Sequence, residues 1–381
     1  MKKKSGFRFL ALYIGGFLSL SLPIQAIAVT PEFGHTPEEW ERLRDNVLEY
    51  EELADLIHEY NVTVQNNKRT FRQMGTDVTY DELLGDYIGA AGDAYDMAGN
   101  AMSDLQRIPL EMQGRQAIVQ ASLTSAQAND SESQRWTNLN TEGLLVKEAQ
   151  STMNSYYQLQ QQLTAAIKGR ELLEALLASA QTRLSLNMAV QSDVLTARQN
   201  LENADAQIQA LQSQIESARQ KLIVMTGWKQ NDTPDIRPMP EVDFNRIAAM
   251  NLDRDLETAL QNDYTLKINS RKAAKAGSED VRKVYAQTSA SDREQIGSTL
   301  TSAFRSVHEA KTAYDEAVLN LEVATKKLTT ASNQYGLGSI SLLEYRQADS
   351  EQVSAQTDLE VKRLALLQAI ESYDWLVKGV R

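Results

Sequence analysis

The sequence predicts an all-α, or nearly all-α, protein built from two repeated long antiparallel coiled-coil hairpins, each preceded by entry helices. Three observations carry this reading. Apolar residues recur in alternating steps of four and three over long stretches, and the pattern recurs at one constant offset of 151 residues. Seven Pro, no Cys and 7% aromatic residues in 381 leave little material for a β-rich or disulfide-braced chain.

The clearest seam is Ala197, Leu201, Ala204, Ile208, Leu211, Ile215, Ala218, Leu222 and Met225, with polar residues between. Such spacing puts one narrow apolar stripe along a long helix, which needs a partner helix over its whole length. The alanines allow close approach of neighbouring helices.

From the start of the chain, Lys2, Lys3, Lys4 and Arg8 precede the apolar run Phe9 to Leu22, and Ala26 and Ala28 stand where a signal peptidase reads small residues. Residues 1–28 are read as a secretory signal peptide. An uncleaved anchor is the alternative, but the run is short of the roughly 20 residues that a span needs, and Pro23 closes it. Cleavage removes four positive charges and takes the net charge from −12 to −16. That balance excludes nucleic acid as a partner, since phosphate binding needs clustered Lys and Arg. An exported chain without Cys holds neither a disulfide scaffold nor a thiolate metal site.

Residues 29–68 form the first entry region. Thr36-Pro37-Glu38-Glu39 reads as an N-cap and acidic first turn, with the helix continuing through Leu43, Val47 and Tyr50. Glu38, Glu39, Glu49, Glu51 and Glu52 read as a solvated face. Residues 69–140 are a Gly-containing insert in which Tyr80, Leu84, Tyr87, Ile88 and Tyr95 keep helical spacing among five glycines, and Pro109 reads as a break. The first hairpin repeat, 141–228, opens with the seam Leu145, Ala149, Thr152, Tyr156, Leu159, Leu163, Ala166, Arg170, Leu173, Leu177, Ala180 and Leu184. It turns at Leu186 to Gln191 and returns along the Ala197 seam to Gly227. A connection this short makes the two helices antiparallel neighbours. Ser192 is read as the N-cap of the returning helix, and Asp193 as an acid suited to its first turn. Pro234, Pro238 and Pro240 mark the linker 229–246, followed by a second entry region, 247–295, and a second hairpin repeat, 296–381.

A shift of 151 superposes the two hairpins: Leu145, Ala149, Leu159 and Leu163 meet Ile296, Leu300, Ala310 and Tyr314, and Ile208, Ile215 and Leu222 meet Leu359, Leu366 and Tyr373. Leu201 and Leu211 meet Gln352 and Lys362, so the match is imperfect. Heptads alone would accept any shift by seven; one offset held through two helices and their turn indicates duplication. The entry regions match at 202, Asp55 to Val64 against Glu257 to Leu266, which leaves about 51 extra residues in the first half.

These features resemble the TolC-like outer membrane efflux protein family. The residues that carry the resemblance are Ser192 to Leu201 and Gly338 to Ala348, each following a hairpin turn, with Gly, an acid and then Ala at four-residue distance. Asn187 replaces the first-half Gly, and Asn is the non-Gly residue most at ease in a left-handed turn conformation. The family's membrane strands would fall in 68–145 and 267–296. Neither stretch shows the roughly ten-residue alternation that a membrane strand needs, so the sequence predicts an all-helical member capped where the barrel would be.

The resemblance implies an α-barrel protomer of a homotrimeric exit duct, an outer-membrane or periplasmic component of a tripartite efflux or secretion system. It would receive substrates from an inner-membrane transporter through a membrane-fusion (adaptor) protein, with no chemical step and no cofactor. It also implies partner contacts at the turns Leu186, Asn187, Met188, Ala189, Val190 and Gln191, and Leu337, Gly338, Ser339, Ile340, Ser341, Leu342 and Leu343. Taken singly, those residues fit ordinary turns better than partner contacts, although Met188, Val190, Ile340 and Leu342 are more apolar than a wet tip requires. Asp193 and Glu344 stand where family members place acids near the constriction, so they are either gate carboxylates or complements to a helix dipole. Arg170 and Arg183 are either pairing partners or solvated.

An enzyme would need a constellation that is missing. His35, His58 and His308 are scattered, and no HExxH, GxSxG, Walker or GxGxxG pattern occurs. The stronger alternative is an exported coiled-coil structural or spacer protein of the envelope. It shares the leader, the acidity and the heptads, but needs neither duplicated hairpins nor apolar turns.

Overall fold

A computed structural model describes residues 34–73, 79–101, 104–127 and 131–381. The expected leader, residues 1–28, lies outside the described residues. The elements are α1 Pro37–Arg42, β1 Val47–Leu48, α2 Leu53–Tyr60, α3 Val62–Gln73, α4 Thr79–Gly99, α5 Asp104–Gln127, α6 Ser131–Ser185, α7 Gln191–Met225, β2 Asp235–Ile236, α8 Phe244–Ala248, α9 Leu252–Asn262, α10 Tyr264–Lys275, α11 Glu279–Gly336 and α12 Leu342–Val377.

Both predicted hairpins are present, and the offset of 151 carries the end of α6 onto the end of α11 and the start of α7 onto the start of α12. Every seam residue of α6 and α7 is buried or half-buried, because each stripe faces the partner helix; α6 also buries Val146, Met153 and Asn154, off the stripe. The offset of 202 likewise carries α3 onto α10. α6 and α11 begin earlier than the seams, at Ser131 and Glu279, since their polar first turns are good helix formers with nothing to bury.

The four long helices lie in the order α7, α6, α12, α11. α6 packs on α7, α12 on α6 and α11 on α12, which leaves α7 and α11 as the two edges. Asn154, fully buried in α6, donates to the Leu364 carbonyl of α12 at 2.7 Å and ties the hairpins together. Away from the turns, α2, α3, α9 and α10 cover this layer. The core sits there, with Leu53, Ile57, Met153, Leu222, Leu300, Leu364 and Tyr373 almost wholly buried. Each such side chain contributes about 2 kcal/mol. Towards the turns the layer is one helix thick.

The two halves dock by the same device. α7 and α12 end at Gly227 (φ 90) and Gly379 (φ 82), and each glycine closes the αL turn that satisfies the last carbonyls of its helix. Asn61 donates to the Met225 carbonyl at 2.8 Å, and Asn262 to that of Val377 at 3.0 Å. Glu371 of α12 is hydrogen-bonded to the Tyr50 hydroxyl, and burial, with Asp374 beside it, pushes its carboxyl up to about 8. A carboxyl shifted this way favours its neutral form, which suits a half-buried position at the base of the hairpin.

Several expectations change. Val47 is not in a helix: β1 pairs in parallel with β2, Val47 opposite Asp235 and Leu48 opposite Ile236, because the chain needs a tie between the entry region and the Pro-rich linker. Asn61 splits the entry helix by accepting from the Thr63 amide. Glu52 is buried rather than solvated, held by Arg42 at 2.8 Å. Pro109 lies inside α5, near enough to its start that little of the helical ladder is lost. Ser192 is within α7, whose N-cap is Val190. Among the described residues, the stretches expected to hold membrane strands in a barrel are helical, the first half filling its extra length with the α4–α5 hairpin. No helix among them is long and apolar enough to cross a membrane.

Candidate functional site

The two turns lie at one end of the layer, since α6 and α12 run antiparallel side by side. Each is built on the same frame. α6 ends with Asn187 at φ 57, its amide donating to Leu184 at 3.0 Å and that of Met188 to Arg183 at 2.7 Å. α11 ends with Gly338 at φ 70, its amide donating to Tyr335 and that of Ser339 to Gln334, both at 2.9 Å. This is one Schellman closure used twice, and Asn187 is the non-Gly residue in the left-handed region that it requires.

The next helix then starts on its acid. The Ser341 amide donates to the Glu344 carboxylate at 2.7 Å and the Glu344 amide to the Ser341 hydroxyl at 3.2 Å, a reciprocal capping box. The Ser341 amide, and after it the Ser341 hydroxyl, which donates to the same carboxylate at 2.8 Å, hold the Glu344 carboxyl below the usual range. At the first turn Val190 offers no acceptor, so only half the box forms, the Val190 amide donating to Asp193 at 3.2 Å. Both acids thus bond the N-terminal turn of their helix, in keeping with the helix dipole.

What the frames display differs. The first turn projects Leu186, Met188 and Val190 into solvent, with Asn187 and Gln191 also exposed and Ala189 partly covered. The second exposes Leu337, Gly338, Ser339, Ser341 and Leu342, and tucks Ile340 and Leu343 partly in. Unpaired apolar side chains at a wet apex favour contact with another surface.

The two turns are staggered. Lys168 pairs with Asp349 at 2.6 Å, 17 residues before the end of α6 but only seven after the start of α12. The first apex therefore projects ten residues, or about 15 Å, beyond the second. A cleft of about 410 Å³ lies between α6 and the start of α12, lined by Lys168, Glu171, Tyr345, Arg346 and Asp349 among others. Arg170 is a pairing partner on a part-exposed face: it pairs across the first hairpin with Asp205, and with Glu174 at 2.6 Å. Arg183 donates to the Met188 carbonyl at 3.5 Å.

The free edges carry a feature that the heptad reading missed. On α11, Leu319 and Val323 lie on the side turned away from the Ala317, Leu321, Ala324 and Leu328 seam, and are 61% and 66% exposed. On α7, Leu195 and Val224 likewise sit opposite the seam and are exposed. A count of apolar residues off the seam finds them.

No protein-family model and no curated protein matches the sequence. Solved structures do match the fold. The outer-membrane channel OprN is 13% identical, with 94% of this chain and 97% of that one covered and a TM-score of 0.53. CusC, whose structures address folding and transmembrane channel formation, is 12% identical, with 87% and 92% covered and a TM-score of 0.52. The chain thus has the helical fold of TolC-like channels.

Proposed function

We propose that the chain is the exit-duct subunit of a tripartite efflux or secretion system of the cell envelope. Three copies close edge to edge into a helical channel. The observation that carries this is the open layer, one helix thick towards the turns, whose α7 and α11 edges each expose apolar side chains away from their own seams. A monomer leaves these edges wet, and a rotation that brings the α11 edge of one copy to the α7 edge of the next covers both and closes a ring. The wall needs no catalytic group, because transport here is passage along a wet lumen.

The reading assigns the first turn, Leu186 to Gln191, and the second, Leu337 to Leu343, to the inner-membrane side, where they meet an adaptor protein and through it a transporter. The exposed Leu186, Met188 and Val190 supply apolar contact area. Export by residues 1–28 would deliver the chain to the envelope. Light scattering on the mature chain tests the assembly: a trimer is expected, and a monomer at micromolar concentration would end the proposal in favour of a spacer.

A further inference from the structure

The α4–α5 hairpin, the extra length of the first half, has two faces that its own chain leaves uncovered. α4 rests on α5 through Ala91, Ala94 and Ala98, all buried. On another side, Gly89, Gly92, Asp96 and Gly99 follow one another in steps of three and four, forming one stripe. A Cβ at any of these three glycines would meet nothing within 4 Å. A glycine inside a helix costs about 1 kcal/mol relative to alanine, and within one chain these three return nothing in packing. Asp96 is exposed and has no ion-pair partner among the described residues.

α5 carries the complement. Ile108, Met112, Arg115 and Val119 also follow in steps of four and three, on the side of α5 turned from α4, and all four are exposed. Three are bulky and apolar, and Arg115 stands among them without an ion-pair partner in the described residues. The levels agree as well. The Tyr95 ring lies over Gly114 within the hairpin, 3.0 Å from where a Cβ would stand. Because the helices are antiparallel, Asp96 then stands level with Gln113, two residues or about 3 Å from Arg115, a gap that the long Arg side chain spans. On the same count Val119 stands between the levels of Gly89 and Gly92, and Met112 between those of Asp96 and Gly99. Rotation about an axis running along the helices preserves those levels from copy to copy.

We propose that the hairpins of successive copies pack head to tail, α5 of one chain seating Met112 and Val119 in the glycine hollows of the next chain's α4, with Arg115 against Asp96. The occupant of each face is a second copy of this chain, and the inference rests on the ring assembly proposed above. Charge chooses the pairing: two α4 stripes would oppose Asp96 to Asp96, and two α5 stripes Arg115 to Arg115. α4 contains five acidic and no basic residues, which also disfavours an anionic lipid surface. Three hairpins joined this way make a six-helix collar that continues the wall at the end away from the turns.

The absence of native Cys makes the test clean. In the full-length exported chain, Asp96→Cys with Arg115→Cys treated with a short bismaleimide should give covalent dimers and trimers on a denaturing gel, and neither single variant should. Light scattering on the same samples separates the two proposals. Trimers without cross-links overturn the collar and leave the ring, whereas monomers remove both. Flotation on phosphatidylethanolamine–phosphatidylglycerol vesicles without cross-links assigns the face to lipid and also overturns the collar. Asp96→Arg should weaken association about tenfold, and adding Arg115→Asp should restore it; failure to restore contradicts the pairing.

Discussion

Gly379→Ala is expected to destabilise the protein by about 3 kcal/mol or more, through an αL backbone that alanine resists and an overlap that nothing nearby can relieve. Gly379 ends α12 at φ 82, and an added Cβ would lie 2.5 Å from the Asn262 carbonyl oxygen and 2.7 Å from the Asp263 nitrogen. Those are backbone atoms at the junction of α9 and α10, fixed by the Asn262 bond to Val377 and by Arg381 pairing with Asp263 at 2.8 Å. Relief would require the entry helices to move off the hairpin. Gly336→Ala is the control: Gly336 closes α11 with no positive φ and open space at its Cβ, so alanine there should be neutral or stabilise by about 0.5–1 kcal/mol. Urea unfolding of both variants decides the point. A Gly379→Ala protein as stable as its parent would mean that the second hairpin does not dock on Asn262 as described.

Leu319→Asp combined with Val323→Asp should convert the proposed trimer to a folded monomer. Both side chains are exposed in the single chain, so placing carboxylates there costs its fold little. In a closed ring, however, the same positions lose two apolar contacts and bury two charges. That amounts to at least about 4 kcal/mol per interface, or roughly a thousandfold in association. Unchanged helical circular dichroism with a threefold lower mass by light scattering is the expected pair of results. A trimer that tolerates both substitutions would place the contact on another face.

The hairpins were legible because their signal is periodic. The Ala197 seam and its image at 151 fix partner, direction and turn in one pattern, and Asn187 could be read as an αL residue because few others occupy that geometry. The elements that escaped depend on distant partners. Glu52 looks like one more surface acid until Arg42 folds over it, and Val47 looks helical until β2 arrives from beyond the first hairpin. Pro109 shows how weak a local stop signal is when it falls early in a helix. At the turns, sequence alone left Asp193 and Glu344 between gate and cap, and the bonds from Val190 and Ser341 supply the capping account. The edge residues Leu319 and Val323 were invisible to a reading that looked only along seams.

Single-particle imaging of the purified assembly tests the ring most directly. The account predicts a hollow cylinder with three-fold symmetry, its wall one helix thick towards the turns and bounded by α7 of one copy against α11 of the next. A solid rod, or particles in which these two edges stay apart, would contradict it.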